Sequence, residues 1–129
     1  MTPKIMLVED DQPILEMMEI LLRRIGYEPV LVPDVMEALG RIQTDPPSLV
    51  LLDIMMTPIN GWEFLEKLRS EYNIRELPVI LFTASPLVEE KLALLRDPYL
   101  GVLQKPVTIA ELKNGIGKFL AKKTGSDPG

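Results

Sequence analysis

The sequence predicts an α/β fold in which a doubly wound, five-stranded parallel sheet carries helices on both faces. Short apolar runs alternate five times with segments of helical periodicity, and no repeat or low-complexity linker interrupts this order. The run at residues 49–52 is apolar at every position, which is typical of a strand buried on both faces in the middle of a parallel sheet. For five such strands the common order is 2-1-3-4-5, with a change of winding direction between strands 1 and 3.

The first half of the chain supplies two more strands and two helices. Residues 4–8 predict strand 1, and residues 29–32 predict a short edge strand because they begin with a proline. Pro13 lies in the first turn of the first helix, which Gly26 ends, and Asp34 begins the second helix. The expected core-facing residues are Ile14, Met17, Met18, Leu21 and Ile25 in the first helix and Val35, Ala38, Leu39 and Ile42 in the second.

The second half continues the alternation. A third helix begins at Gly61, a fourth strand covers residues 78–82, a fourth helix covers residues 87–96 and a fifth strand covers residues 100–103. The last helix begins with a Thr-x-x-Glu capping box at Thr108. The expected core-facing residues are Trp62, Leu65, Leu68 and Tyr72 in the third helix and Ile109, Leu112, Ile116, Phe119 and Leu120 in the last.

Length and composition indicate one globular domain of 129 residues, which we assign to residues 1–123 followed by a flexible tail at 124–129. The sequence contains no spanning segment and no signal peptide, so we expect a cytoplasmic protein without a membrane partner. The net charge of −5 disfavours direct binding to nucleic acid. Because the chain lacks cysteine and histidine, thiolate metal sites and a Ser-His-Asp or Cys-His mechanism are excluded.

Polar residues follow four of the predicted strands. Glu9 and Asp10 come after strand 1, Asp53 after strand 3, Thr83 after strand 4 and Lys105 after strand 5. In open α/β sheets the carboxyl ends of parallel strands meet at one edge, where ligands bind. We therefore expect these five side chains to form one site.

Three carboxylates at this edge repel one another, so the site requires a compensating cation. Without cysteine or histidine, an oxygen-preferring Mg²⁺ ion held by Glu9, Asp10 and Asp53 fits best. One lysine and one hydroxyl facing the acids suit a phosphoryl group. Asp53 is then the nucleophile, Lys105 pairs with one phosphoryl oxygen and Thr83 donates a hydrogen bond to another.

The chain resembles the receiver domain of two-component response regulators from about residue 4 to residue 122. The resemblance rests on four motifs in order, which are Leu7-Val8-Glu9-Asp10-Asp11, Leu51-Leu52-Asp53-Ile54-Met55-Met56 with Gly61 downstream, Phe82-Thr83-Ala84 and Lys105-Pro106. It implies a flavodoxin-like fold and a phosphoryl group taken from a phosphohistidine on a histidine kinase or histidine phosphotransfer protein. By position it implies Asp53 as phosphoacceptor, the Met55 carbonyl as a further Mg²⁺ ligand and Thr83 as the switch hydroxyl.

Three features depart from the family pattern. Thr57, followed by Pro58, stands where proline is usual, and Val102 stands at the switch position where an aromatic residue is usual. The chain also ends after the last helix, which predicts a single-domain regulator rather than an enzyme. It would assist its own phosphorylation and dephosphorylation, and would contact a target protein through the face formed by the fourth helix, fifth strand and last helix, at about residues 87–122.

Two other functions remain open at this point. Thr57 and Val102 favour an interaction module that keeps the fold and signals without phosphorylation. A phosphohydrolase of the haloacid dehalogenase type also uses an aspartyl nucleophile, but Met55 stands where that chemistry usually has a second aspartate.

Among single residues, we expect Asp11 to cap the first helix and the methionines Met17, Met18, Met55 and Met56 to be packed in the core or a loop.

Overall fold

The computed structural model of the protein describes residues 2–53, 61–83, 96–105 and 107–124, with side chains up to residue 121. Five parallel strands form one sheet in the order 2-1-3-4-5, which confirms the predicted topology. The strands are β1 (Lys4–Val8), β2 (Glu28–Val32), β3 (Leu49–Asp53), β4 (Val79–Thr83) and β5 (Leu100–Gln104). β3 is buried at all five positions, as its apolar sequence indicates.

Four helices connect or follow these strands in the described part of the chain. They are α1 (Gln12–Ile25), α2 (Val35–Thr44), α3 (Gly61–Glu66), which continues as a π-helical segment (Lys67–Glu71), and α4 (Ile109–Thr124). The predicted helix at 87–96 falls almost entirely on residues 84–95, which lie outside the described residues. α4 is the predicted last helix, and it includes Thr124, the first residue of the predicted tail.

Alternate residues of the strands enter two separate cores. Val8, Leu52 and Leu81 belong to a core that α2 and α3 complete. The intervening residues, such as Leu7, Leu51, Ile80 and Phe82, belong to a second core that α1 and α4 complete. The period of two in the strands thus places helices on both faces of the sheet, as predicted.

The helix ends carry the predicted caps. Asp11 accepts a hydrogen bond from the Ile14 amide (3.2 Å), and Asp34 accepts one from the Met36 amide (3.2 Å). At the start of α4, the amide of Thr108 donates to the Glu111 carboxylate (3.0 Å), and this bond holds the pKa of that carboxyl below its ordinary value. Each cap satisfies a backbone amide that the helix itself leaves without a partner.

Two of the predicted core residues are wrong. Met17 is 52% exposed and Ile109 is 39% exposed, whereas the buried residues of α1 are Leu15, Met18 and Leu22. Met17 lies at the border of the apolar stripe of α1, on the same side as Arg24, and is left in contact with solvent. Ile109 is the first residue of α4, where the helix begins at the rim of the fold.

Arg69, in the π-helical segment, ties the end of α3 to the start of β5. Its guanidinium donates to Asp97 Oδ2 (2.8 Å) and to the backbone oxygens of Ile74 (3.0 Å) and Tyr99 (3.2 Å). Only 11% of the Arg69 side chain and 16% of the Asp97 side chain are exposed.

Among the described residues, no helix is both long and apolar enough to cross a membrane.

Gly26 ends α1 in a left-handed conformation with φ of 110°, which a residue with a Cβ adopts only under strain. We expect Gly26→Ala to lower the free energy of unfolding by about 1–2 kcal/mol, measured by urea denaturation. Gly40→Ala is the matched control, because Gly40 is exposed within α2 and a Cβ there meets nothing within 4 Å. It should stabilise the protein by about 0.5–1 kcal/mol, and loss of stability in both variants would contradict the assignment.

Candidate functional site

The ends of β1, β3 and β5 bring two acids and one lysine together. Glu9 directly follows β1, Asp53 is the last residue of β3 and Lys105 directly follows β5. Parallel pairing of Val8 with Leu52 sets Glu9 beside Asp53. Both acids lie almost out of reach of solvent, with Glu9 0% and Asp53 5% exposed. Such burial of two carboxylates calls for a nearby cation.

Lys105 supplies that cation within the described residues. Its Nζ lies 3.6 Å from Asp53 Oδ2 and 3.8 Å from Glu9 Oε1, so one ammonium serves two carboxylates. The same Nζ lies 4.8 Å from the centroid of the Phe82 ring. The amide of Lys105 donates to the Thr83 carbonyl (2.8 Å), which ties the lysine to the end of β4.

Glu9 is the most strongly perturbed acid of the site. Burial, a hydrogen bond shared with Asp53 and repulsion by the Asp53 charge raise the pKa of Glu9 to about 7, against the lowering effects of the Asp11 amide and Lys105. The Asp11 amide donates to Glu9 Oε2 at 3.1 Å. Glu9 Oε1 is buried and accepts no hydrogen bond from the described residues. The Lys105 ammonium, 3.8 Å from that oxygen, is too distant to donate a hydrogen bond to it.

These residues fit a hard divalent cation. Mg²⁺ prefers oxygen ligands, usually binds one or two carboxylates and keeps several waters, and Glu9 with Asp53 provides such a pair. Within the ranges that the structure describes, no group of three acidic side chains is already gathered as a complete ligand set. Asp10 is exposed at the rim. Met55, whose carbonyl the resemblance implies as a ligand, lies outside the described residues, as do Thr57 and Pro58.

The two predicted switch residues lie on β4 and β5. Thr83 is the last residue of β4 and is 3% exposed. Val102 pairs with Leu81, two residues before Thr83, and packs half-buried against the core that α2 and α3 complete. An aliphatic side chain packed in a core thus occupies the position at which the family pattern has an aromatic one.

Comparison with known proteins gives the family. The family model of the response regulator receiver domain matches residues 5–117. The chain belongs to the response regulator receiver domain family. Receiver domains serve in two-component signalling, and acceptance of a phosphoryl group is general among them.

Two curated relatives of this receiver domain are longer proteins. The chain is 34% identical to the response regulator MprA of Mycolicibacterium vanbaalenii over 98% of its own length and 54% of that protein. It is 32% identical to the phosphate regulon transcriptional regulatory protein PhoB of Escherichia coli over 87% of its own length and 49% of that protein. The chain therefore spans about half the length of these relatives.

Solved receiver domains share the fold. A CheY-like receiver domain protein from Methanospirillum hungatei superposes with a TM-score of 0.85 at 25% identity, covering 98% of this chain and 100% of that one. The N-terminal domain of a response regulator receiver protein from Methanoculleus marisnigri gives a TM-score of 0.74 at 35% identity, covering 92% and 97%. These similarities agree with the flavodoxin-like topology predicted from the strand pattern.

Sequence reasoning did not identify the contact between Phe82 and Lys105. The sequence places Phe82 at the end of an apolar run and in the Phe82-Thr83-Ala84 motif, and the structure pairs it with Asp53 on β3 and with Leu103 on β5. Lys105 lies two residues beyond Leu103, on the same face of an extended strand. The contact between Phe82 and Lys105 therefore follows from the strand order and the register together. The apolar run alone does not predict it.

A large cavity in the described part of the chain does not coincide with the predicted site residues. A cavity of about 700 Å³ lies elsewhere in this receiver domain, where Trp62, Arg69, Arg96 and Tyr99 are among its lining residues. None of the five predicted site residues that the structure describes lines it.

The raised pKa of Glu9 has a direct consequence for stability. Because the folded value of about 7 lies above the ordinary value of 4.5, the folded protein binds more protons than the unfolded chain between these two pH values. The free energy of unfolding of the metal-free protein should therefore fall as pH rises through this window. Glu9→Gln should remove most of this slope and stabilise the metal-free protein at pH 8 by about 1–3 kcal/mol.

Urea denaturation in the presence of a chelator, repeated from pH 5 to pH 8, measures this effect. Glu76→Gln is the matched control, because Glu76 is exposed and remote from the acids, and it should keep the wild-type slope. An unchanged slope in Glu9→Gln would show that Glu9 is not the group that titrates.

Proposed function

We propose that Asp53 accepts a phosphoryl group from a phosphohistidine of a histidine kinase or histidine phosphotransfer protein, and that the phosphorylated chain signals through altered protein contacts. The observation that supports this best is the buried Asp53 carboxylate at the end of the central strand, with the Lys105 ammonium 3.6 Å away. The position of Asp53 matches that of the phosphoacceptor in the receiver family to which the chain belongs.

The transfer needs few groups from this chain. A carboxylate oxygen of Asp53 attacks phosphorus, and the new O–P bond forms as the P–N bond of the phosphohistidine breaks. The electron pair of that bond stays on the imidazole nitrogen of the donor, which then takes a proton from water. A carboxylate nucleophile has no proton to lose, so the reaction needs no general base from a chain that has no histidine.

Lys105 and Thr83 are the groups that would hold the phosphoryl oxygens. The Lys105 ammonium already faces Asp53 Oδ2, so it can pair with an oxygen of a group added to that carboxylate. Thr83 ends the strand next to β3, where its hydroxyl can donate to another oxygen. Both interactions strengthen as negative charge is added at Asp53, which is what stabilisation of the transition state requires.

Glu9, Asp10 and Asp53, with the backbone carbonyl of Met55, are the residues that would hold Mg²⁺. The bound ion would neutralise charge on the phosphoryl oxygens and on the acids. The buried Glu9 Oε1 that accepts no hydrogen bond from the described residues supports this assignment. Asp10, exposed beside Glu9 in the sequence, would join through its side chain or a water molecule.

We further propose that a target protein contacts the face formed by residues 87–122. Its described part consists of β5 and α4, including the exposed Ile109.

That the receiver acts as a single domain stays a prediction, because MprA and PhoB are about twice as long as the matched region. The expectations of a cytoplasmic location, no direct contact with nucleic acid and no enzymatic activity beyond self-directed phosphoryl chemistry also stay predictions.

Phosphorylation of Asp53 can be tested with a small donor. Incubation with acetyl phosphate and Mg²⁺ should add one phosphoryl group to the wild-type protein, as measured by intact mass spectrometry. Asp53→Ala should remain unmodified, and Lys105→Met should react at least about 10-fold more slowly because it loses a charge-assisted contact. The matched control is Asp45→Ala, since Asp45 is an exposed aspartate paired only loosely with Lys4 at 3.6 Å. Equal modification of Asp53→Ala and the wild type would refute the proposal.

Mg²⁺ binding can be followed through the single tryptophan. Trp62 lies on α3 and packs half-buried against the core that α2 and α3 complete. Titration with Mg²⁺ should change its emission in the wild type, and Glu9→Gln should weaken the apparent affinity by about 10-fold or more. Removal of the ion with a chelator should also suppress labelling by acetyl phosphate.

The second candidate is an interaction module that signals without phosphorylation. Val102 favours it, because an aliphatic side chain packed in the core cannot act as the usual aromatic switch. A flat Trp62 response to Mg²⁺ together with no labelling would support this candidate over the first.

A further inference from the structure

Phe82 presents its aromatic ring to the ammonium group of Lys105. The distance of 4.8 Å from Nζ to the ring centroid is within the range of about 6 Å over which a cation is attracted by the negative face of a ring. We propose that this cation–π contact makes Phe82 a positioning residue, which holds Lys105 ready for phosphoryl transfer to Asp53. The proposal rests on the function proposed above.

The carboxylates alone hold the ammonium loosely. The distances of 3.6 Å to Asp53 and 3.8 Å to Glu9 are longer than a direct hydrogen bond. The Lys105 side chain is also 29% exposed, so it retains freedom to move towards solvent. A lysine side chain has several rotatable bonds, and fixing them costs conformational entropy. A third attraction from the ring offsets part of that cost.

The ring itself is fixed in place by the fold. Phe82 is 2% exposed and belongs to the core that α1 and α4 complete. Its strand partners are Asp53 on one side and Leu103 on the other. The lysine backbone is fixed as well, because its amide donates to the Thr83 carbonyl at 2.8 Å. Both ends of the contact are thus anchored to the end of β4.

A ring differs from a third carboxylate in one useful respect. It attracts the ammonium without accepting its N–H groups as strong hydrogen bonds, so these donors remain available to a phosphoryl oxygen. The ring also adds no negative charge to a site that already holds two buried acids. Phe82 can therefore orient Lys105 without competing with the incoming phosphoryl group.

The experiment compares three substitutions in the full chain. Phe82→Leu removes the ring and keeps an apolar side chain, and Phe82→Tyr keeps the ring. Phe64→Leu makes the same change at a fully buried phenylalanine of the other core, and so controls for lost packing. With acetyl phosphate and saturating Mg²⁺, Phe82→Leu should be modified about 3- to 10-fold more slowly than the wild type. Phe82→Tyr and Phe64→Leu should react within about 2-fold of the wild-type rate.

A second readout is independent of phosphorylation. In ¹H–¹³C NMR spectra of the metal-free protein, the ε-methylene signal of Lys105 should be shifted upfield of the other lysines by the Phe82 ring current. Lys105→Arg identifies the signal. The shift should vanish in Phe82→Leu and persist in Phe82→Tyr and in Phe64→Leu, and its absence from the wild type would show that the ring does not hold Lys105 in solution.

The outcomes separate this proposal from the one on which it rests. A slow Phe82→Leu, a near-normal Phe82→Tyr and a ring-dependent Lys105 signal support the positioning role. Equal rates for Phe82→Leu and the wild type, or equal slowing in Phe64→Leu, overturn it while labelling of Asp53 stands. If the wild type is not labelled at all, the phosphoacceptor function fails and the positioning role fails with it.

Discussion

One ammonium group between two buried carboxylates is the interaction on which the functional edge depends. Glu9 and Asp53 are almost completely removed from water, and Lys105 approaches both. Two buried acids without a cation would repel each other and suffer the full cost of desolvation. Their meeting is possible because β1, β3 and β5 are parallel and end at the same edge. The site therefore depends on the strand order, because any order that separated β1 from β3 would separate Glu9 from Asp53.

Much of this arrangement could be predicted because its signals are local in the sequence. The apolar run of β3 marks a central strand, and Asp53 at its end marks the edge. Asp11 before a proline and Thr108 three residues before Glu111 mark helix starts, and the structure shows both caps. Once the strands are parallel, their carboxyl ends must coincide, so the position of the acids follows from topology without any side-chain coordinates.

The remaining features depend on tertiary packing, which cannot be derived from the pattern of apolar and polar residues in the sequence. Met17 lies at the border of the apolar stripe of α1, so its exposure is decided by how the helix rests on the sheet. Arg69 in the π-helical segment pairs with Asp97, which lies 28 positions further along the chain, so no local pattern predicts this ion pair. The contact of Lys105 with Phe82 likewise requires the register of two strands and the direction of a long side chain.

The aromatic ring beside the site and the residue at the usual aromatic position lie in different cores of this receiver domain. The usual aromatic position is on β5, and Val102 there packs with Leu81 into the core that α2 and α3 complete. The ring that does contact the site is on β4 and belongs to the opposite core, with Leu112 of α4. Movement of the Lys105 ammonium alters its attraction to that ring, because the interaction depends on the position of the charge over the ring face. The contact between Phe82 and Lys105 therefore joins the Asp53 site to the core that α1 and α4 complete, whereas Val102 is packed in the opposite core.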